Sequence, residues 1–302
     1  MSASSIENIP APPELEDVLP PVRPRGRIMT FIHRNPRIAV GGLLLGLIML
    51  MAILAPYLGT KDPTALSPAR RLREPSALYW FGTDMMGRDL YSRVVYGARV
   101  SLIVGFSVAT AASVIGMAIG LISGFLRRLV DAIVMRLMDA LMSIPPILLA
   151  IALMALTKGS IENVIIAITV AEIPRVSRVV RGVVLSLREQ PFVEGAIASG
   201  TRVPAIIWRH ILPNTLAPVT VQATYICAAA MIIEAVLSFI GAGTPPTTPS
   251  WGNIMAEGRA LWQVKPFIVF FPAVFLSITV LAVNLLGDGL RDALDPQLAK
   301  RL

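Results

Sequence analysis

Residues that could perform enzymatic chemistry are few in this 302-residue sequence. It contains two histidines, His33 and His210, and one cysteine, Cys227. It has no H-E-x-x-H zinc pattern, no G-x-S-x-G nucleophile turn and no G-x-x-x-x-G-K-S/T phosphate loop. We therefore expect a chain without catalytic residues, bound cofactor or metal site. Any ATP hydrolysis linked to it would take place on separate chains.

The composition is that of a chain embedded in lipid. Apolar residues make up 55% of the sequence, charged residues only 15%, and the mean hydropathy is +0.69. Soluble domains carry about 25% charged residues. Because about 20 apolar residues in a helix span a bilayer, we predict an all-α polytopic membrane protein with about six transmembrane helices. They are expected at 38–58, 101–126, 133–156 (interrupted by Pro145 and Pro146), 161–173 with a kinked continuation after Pro174, 216–240 and 267–286.

The segments between these spans predict the orientation and the organisation of the chain. Lys and Arg number 17 on the side of the N-terminus and 10 on the other side, which favours cytoplasmic termini. The net charge of +8 then favours contact with anionic membrane lipids and not with nucleic acid. The predicted order is a disordered Pro-rich cytoplasmic tail (1–37), a first transmembrane helix (38–58), an outer loop (59–98), a core transmembrane domain (99–290) and a cytoplasmic C-terminal tail (291–302).

The outer loop carries two pairs of opposite charges spaced four residues apart, Asp84 with Arg88 and Asp89 with Arg93. Side chains at this spacing are neighbours on a helix surface. We therefore expect an amphipathic helix on the outer surface. It would serve either as a solvated interfacial helix or as a contact surface for another protein.

Glu234 is a carboxylate within the predicted fifth span, and Gln222 lies on the same helix. An unpaired charge at membrane depth is costly. We therefore favour a structural pairing of Glu234 with an arginine of another helix. Binding of a peptide amino terminus or of a cation is the alternative.

Two further groups of charges lie near the predicted cytoplasmic ends of the third and fourth spans. Three residues of the third span are expected to pair with one another: Asp131, Arg136 and Asp139. Three arginines recur at every third position after Pro174: Arg175, Arg178 and Arg181. We expect these arginines to anchor the helix end to lipid phosphate. A channel with a voltage-sensing helix would need them inside the membrane.

The second span carries a small residue at every fourth position, namely Ala112, Gly116, Gly120 and Gly124. In lipid, helices associate through close backbone approach and dispersion. This stripe therefore predicts a helix-packing face.

Residues 194–214, EGAIASGTRVPAIIWRHILPN, are less apolar than the segments around them. We predict a short helix from Glu194 to Ser199, which Gly200 ends in a left-handed conformation. A second helix is expected from Val203 to Pro213. Such a compact pair of helices suits the docking of a cytoplasmic partner. The alternative is an interfacial loop that lies on the lipid headgroups.

This segment resembles the coupling loop of ATP-binding-cassette (ABC) importer permeases, whose pattern is Glu-Ala-Ala, three residues, Gly, nine residues and Ile-x-Leu-Pro. The matching positions are Glu194, Ala196, Gly200, Leu212 and Pro213, with Gly195 in place of the first alanine. Arg209 and His210 are similar to the peptide-importer branch. Three other segments resemble the dipeptide, oligopeptide and nickel permease "C" subunits: FGTDMMGRDLYSRVVYGARVSL from Phe81, LSFIGAGTPPTTPSWGNIM from Leu237 and NLLGDGLRDALDP from Asn284.

The resemblance implies a type I ABC importer permease fold in the bacterial inner membrane, with residues 194–214 as the coupling loop. It implies four kinds of partner: a homologous second permease subunit, two ATPase subunits that bind ATP and Mg²⁺, an extracytoplasmic substrate-binding protein and membrane lipids. Asp84, Arg88, Asp89 and Arg93 would then contact the binding protein. The expected cargo is a dipeptide or oligopeptide, with glutathione or a nickel chelate as alternatives. An ion-coupled secondary transporter is a further alternative. Such transporters usually carry charges near the membrane midplane, and only one deep carboxylate is predicted here.

Overall fold

The computed structural model describes residues 35–126 and 129–294. Within these ranges the chain consists of helices and turns, with one isolated bridge between Thr83 and Asp89. The predicted all-α fold is therefore confirmed. The longer helices are α1 (Pro36–Ile53), α2 (Leu90–Leu126), α3 (Leu129–Met142), α4 (Pro146–Ala155), α5 (Ile161–Arg188), α6 (Pro191–Ala198), α7 (Val203–Phe239), α8 (Trp251–Gly258) and α9 (Phe267–Leu294). Short 3₁₀ turns follow α1, interrupt the first loop and follow α8: Ala55–Tyr57, Pro68–Arg70 and Arg259–Leu261.

Within the described ranges, four helices are long and apolar enough to cross a membrane: α1, α2, α7 and α9. Helices α3 and α4 together would make a fifth span, but they are bent by 87° at the break before Pro146. A proline removes a backbone donor and restricts the residue before it, so the helix cannot continue unbroken. Length and composition thus support four or five spans where six were predicted. The predicted fourth span is α5, a single 28-residue helix with Pro174 inside it and with several charges.

The first two spans differ from the prediction at one end each. Helix α1 ends at Ile53 and not at Leu58, because Pro56 follows in a 3₁₀ turn and cannot donate to an α-helical ladder. Helix α2 begins at Leu90, eleven residues before the predicted start at Ser101. The apolar span is therefore only the later part of a longer helix.

Helices α2 and α5 pack through the predicted stripe of small residues. A Cβ added at Gly116, Gly120 or Gly124 would lie 2.6, 2.7 or 2.8 Å from a valine Cβ of α5. The valines are Val176, Val180 and Val184, which share the same four-residue spacing. The packing role of the stripe is confirmed, because any larger side chain would separate the two helices.

The two ends of the helical bundle can be told apart from a few contacts. Arg37 Nη1 lies 2.9 Å from Asp292 Oδ2, so α1 begins where α9 ends. Arg188 Nη1 donates to Gly124 O at 3.4 Å, which places the ends of α5 and α2 together. At the other end, Arg99 Nε of α2 donates to Ala52 O of α1 at 2.6 Å. The segment after Arg188 therefore lies at the end that holds both termini of the described chain.

Candidate functional site

Residues 191–213, which we call the knob, fold as two helices around Gly200. Helix α6 ends at Ala198, and Gly200 takes a φ of +75°. The Thr201 N–H then donates to Ala196 O at 3.1 Å, and the Gly200 N–H donates to Ile197 O at 3.0 Å. These bonds satisfy the last carbonyls of α6 and turn the chain back. The predicted left-handed turn at Gly200 is confirmed.

The second helix of the knob was predicted to end at Pro213, and this was wrong. It continues without a break as the 37-residue helix α7. Residues Ile207–Ile211 form a π-helical turn, in which the Leu212 N–H donates to Ile207 O, five residues back. Pro213 has no N–H to donate, and the wider turn lies directly before it, so the helix continues past the proline.

The knob is anchored by a few buried apolar side chains and otherwise faces outward. Val193, Ile206 and Ile211 are almost fully buried. Four large apolar side chains of the knob are instead exposed: Phe192 (47%), Ile197 (50%), Val203 (42%) and Trp208 (72%). A group of exposed apolar side chains on one element is typical of an interaction surface.

Some of the residues that match the coupling pattern lie on this exposed surface, and others pack beneath it. Exposed positions are Glu194, Gly195, Gly200, Arg209 and Pro213, whereas Ala196, His210 and Leu212 are half-buried. The His210 ring lies 6.2 Å from the ring of Phe192, so it joins the two helices of the knob. The pattern thus includes residues of the exposed surface and residues that hold the two helices of the knob together.

The charges of the outer loop form a buried cluster and not an amphipathic helix. Arg88 Nε lies 2.6 Å from Asp84 Oδ2, and Arg93 Nη1 lies 2.5 Å from the same oxygen. Both arginines also bind Glu257 of α8, at 2.5 Å for Arg88 and 2.6 Å for Arg93. We call Asp84, Arg88, Arg93 and Glu257 the ion cluster.

The predicted pairing of Asp89 with Arg93 was also wrong. The helix begins only at Leu90, and Asp89 accepts a hydrogen bond from the Ser92 N–H at 2.9 Å, as an N-terminal cap does. Arg93 is 1% exposed and Asp84 is 0% exposed, so neither presents a charge to a partner. Glu257 could not be foreseen as a partner, because it is 164 residues from Arg93.

A second ion pair of the outer loop is exposed. Lys265 Nζ lies 2.7 Å from Glu74 Oε1. This hydrogen bond lowers the pKa of the Glu74 carboxyl below its ordinary value, and the charge of Lys265 acts in the same direction. Both contacts join residues 54–89 to the segment around α8.

Glu234 lies in a buried network of hydroxyl groups, and among the described residues no arginine pairs with it. Ser238 Oγ donates to Glu234 Oε1 at 2.9 Å and lies 3.1 Å from Thr244 Oγ1. Asn253 Nδ2 donates to Thr244 Oγ1 at 3.0 Å, which ties the loop after α7 to α8. Gln222 is about 18 Å away along the helix, too far to share this network.

The charges at the other end of the bundle pair between helices. Arg181 binds Asp131 at 2.6 Å, and Arg178 binds Asp139. The predicted pairing of Asp131, Arg136 and Asp139 with one another was therefore wrong. Residues on α3 and α5 are brought together by packing, which a pattern along one helix does not reveal.

Glu172 is, besides Glu234, a second buried carboxylate within the predicted spans, and it was not predicted from the sequence. It is 1% exposed and lies 3.3 Å from Nη1 of Arg175, its neighbour on α5. The expectation of a single deep carboxylate was wrong. Across residues 35–126 and 129–294, no group of three or more His, Cys, Asp or Glu side chains could hold a metal ion.

Comparison with known proteins identifies the family. The model of the family described as "Binding-protein-dependent transport system inner membrane component" matches residues 116–300. The chain belongs to this family. The family match confirms the resemblance found in the sequence, and it includes the whole knob.

Two curated relatives match almost the full length. The chain is 50% identical over 274 residues to the "Probable peptide ABC transporter permease protein y4tQ" of Sinorhizobium fredii, covering 91% of this chain and 94% of that protein. It is 41% identical over 289 residues to the "Dipeptide transport system permease protein DppC" of Alkalihalophilus pseudofirmus, covering 96% and 95%.

The fold is also that of a solved importer. A chain of the MetNI methionine ABC transporter in an inward-facing conformation matches with a TM-score of 0.55 and 21% identity. The match covers 67% of this chain and 96% of that chain. The expected type I importer permease fold is thus confirmed.

Proposed function

We propose that this chain is a permease subunit of an ABC importer that carries dipeptides or oligopeptides across the bacterial inner membrane. Family membership supports a binding-protein-dependent transporter. The names of the two relatives support peptides as cargo. The chain itself does not hydrolyse ATP, and ATP and Mg²⁺ bind to partner subunits.

The complete transporter in this proposal contains four kinds of partner. A homologous second permease completes the pathway, and two ATPase subunits bind from the cytoplasm. An extracytoplasmic binding protein delivers the peptide, and membrane lipids surround the helices. Both termini then lie in the cytoplasm, at the end of the bundle that carries the knob.

The observation that carries this proposal is the continuity of α7 with the knob. The helix runs from Val203 to Phe239 without a break. At 1.5 Å per residue it is about 55 Å long. One continuous helix therefore joins the exposed knob surface to the buried network of Glu234 near the opposite end. Movement of the knob by an ATPase would displace the far end of the same helix.

The mechanism requires two positions of the knob. Closure of the two ATPases on ATP pulls the knob into one position and opens the cavity to the outside, and hydrolysis returns it. Coupling of this kind needs a contact that differs in free energy between the two states. Exposed apolar side chains such as Trp208 and Ile197 would supply that contact.

The test uses a glycine whose replacement the chain itself can accommodate. Gly195 is exposed and a Cβ added there meets nothing within 4 Å, so a large side chain at this position would project from the surface that a docking partner would cover. We expect uptake of peptide to fall at least tenfold and co-purification of the ATPases to weaken. Ala196 is less suitable, because it packs against the apolar core.

The matched control is Gly46→Trp on α1, where an added Cβ also meets nothing within 4 Å. This variant should insert, recruit ATPases and transport as the parent does. Full ATPase binding and full uptake in Gly195→Trp would contradict the proposed role of the knob. Uptake that proceeds equally without ATP would favour a secondary transporter.

A further inference from the structure

We propose that a groove along α2 and α7 is this chain's half of the substrate pathway, and that it binds the peptide backbone through hydroxyl groups. The identity of the cargo rests on the proposed function. Five side chains define the hydroxyl groove: Ser107, Thr110 and Ser113 on α2, and Thr220 and Thr224 on α7.

The groove contains a cavity and extends along most of the membrane. The cavity has a volume of about 340 Å³ and lies among α1, α2, α7 and α9. Ser107 lines two neighbouring depressions, one of them between α1 and α2, and Thr110 lines the other. Together the two depressions reach from Arg99 to Ile115 along α2. The 16 helical steps from Arg99 to Ile115 correspond to about 24 Å. The cavity is of a size that holds small ligands, and the groove is long enough to guide one across the bilayer.

A buried hydroxyl without a partner indicates that the cavity has a polar occupant. Ser113 is 9% exposed, and among the described residues its Oγ has no hydrogen-bond partner. In the same cavity, Thr220 donates to Leu216 O and Thr224 donates to Val221 O, both at 2.8 Å. Leaving a buried hydroxyl without a hydrogen-bond partner is unfavourable. A lipid tail cannot satisfy it, whereas water or a peptide amide can.

The surface of α1 shows how a lipid-facing helix of this chain is composed. Away from the depression that includes Arg99, the exposed side chains of α1 between Val40 and Leu50 are large and apolar: Val40, Leu43, Leu47, Leu50. The exposed face of α2 carries Phe106, Val114 and Ile115, and it also includes Thr110 with the half-buried Ser107 one turn earlier. A face that met only lipid would have no reason to carry hydroxyls that recur every three residues. The hydroxyl groove therefore faces something other than lipid tails.

The chemistry of the groove fits an uncharged, repeating ligand. A hydroxyl both donates and accepts hydrogen bonds, as the N–H and C=O groups of a peptide backbone require. Among the described residues that line the 340 Å³ cavity there is no Asp, Glu, Lys or Arg. The groove would therefore bind the backbone of many peptides and would not select among them by the charge of their side chains.

The experiment measures access of water to single cysteines in the complete transporter, reconstituted in liposomes. Cys227 lines the cavity, so the parent is Cys227→Ala. Thr110→Cys and Thr224→Cys are compared with Leu47→Cys, whose native side chain is 54% exposed on the apolar face of α1. We expect a charged, water-soluble thiosulfonate to modify both groove cysteines at least tenfold faster than Leu47→Cys. Transported peptide should slow this modification.

The same variant then tests selectivity. Modification of Thr110→Cys with a cationic reagent should reduce uptake of cationic peptides more than that of anionic ones, and an anionic reagent should reverse the order. A groove that only supports folding would change all uptake rates equally.

Two results would overturn the inference. Groove cysteines that react only with lipid-soluble reagents would face lipid. Groove cysteines that are shielded in the assembled complex whether or not peptide is present would lie in a contact between the two permeases. Failure of the proposed function would appear separately, as a parent that takes up no peptide with ATP.

Discussion

The knob and the ion cluster both contain charged residues, but these are exposed in the knob and buried in the ion cluster. In the knob, Glu194 and Arg209 are exposed beside exposed apolar side chains. In the ion cluster, Asp84 and Arg93 are buried, and their hydrogen bonds are made within the chain. An exposed surface can bind a partner, whereas buried charges that pair with one another within the chain hold the fold together.

The difference also separates what each region contributes to transport. The ion cluster fixes the start of α2 against α8, at the end opposite the knob. The knob is anchored to the bundle mainly by the buried side chains of Val193, Ile206 and Ile211. We therefore expect changes in the ion cluster to reduce stability, and changes on the knob surface to reduce coupling while the fold is kept.

The largest effect is expected when the ion cluster loses one of its cations. Arg93→Met leaves Asp84 and Glu257 with Arg88 alone, in a site that is 1% exposed at Arg93. Breaking a buried ion pair costs about 3–5 kcal/mol. The thermal unfolding temperature in detergent should fall sharply, and the yield of folded protein should fall with it.

Arg37→Met is the control for this change, because the Arg37–Asp292 pair is largely exposed. Exposed pairs contribute about 0–1 kcal/mol, so its unfolding temperature should stay near that of the parent. Equal losses in the two variants would show that the ion cluster is not the stabilising element that its burial indicates.

A somewhat smaller loss is expected from Gly120→Leu in the packing stripe of α2. An added Cβ would lie 2.7 Å from Val180 Cβ and from Ser177 O, so the backbones of α2 and α5 must separate. Overpacking of this kind costs about 1–3 kcal/mol. Thermal unfolding would measure it, and Gly182→Leu on α5, where a Cβ meets nothing within 4 Å, is the control. An unchanged unfolding temperature in Gly120→Leu would contradict the close contact.

Glu234→Gln should have the smallest effect on stability and a larger effect on the rate of peptide uptake. The amide can still accept from Ser238 Oγ, so the tie to the loop after α7 is kept in part. We expect slower peptide uptake with an unchanged order of preferred peptides. An altered substrate preference at a normal rate would instead show that Glu234 binds the substrate.

Some patterns along a single helix were read correctly from the sequence. The four-residue spacing of Gly116, Gly120 and Gly124 predicted a packing face, and the turn at Gly200 followed from the freedom of glycine at positive φ. The span of α9 followed from its apolar length. These features depend on local geometry, which the sequence contains directly.

Contacts between distant segments could not be read in this way. The i,i+4 spacing of Asp89 and Arg93 suggested a helix, but Asp89 caps the helix and Arg93 binds Glu257 across the bundle. The continuity of α7 through Pro213 was missed because a proline usually ends a helix, and the π-helical turn before it could not be foreseen. Tertiary packing decides which charged side chains meet, and the spacing along one helix does not reveal it.

The most direct test of force transmission through the knob is crosslinking of Ala198→Cys, an exposed position at the end of α6, to single cysteines on the ATPase subunits. The experiment is done in inside-out membrane vesicles that contain the complete transporter, with and without ATP. Our account predicts a covalent adduct between permease and ATPase, with a yield that changes when ATP is bound. A cysteine at this position that reacts only from the extracytoplasmic side, or no adduct in a transporter that still takes up peptide, would contradict it.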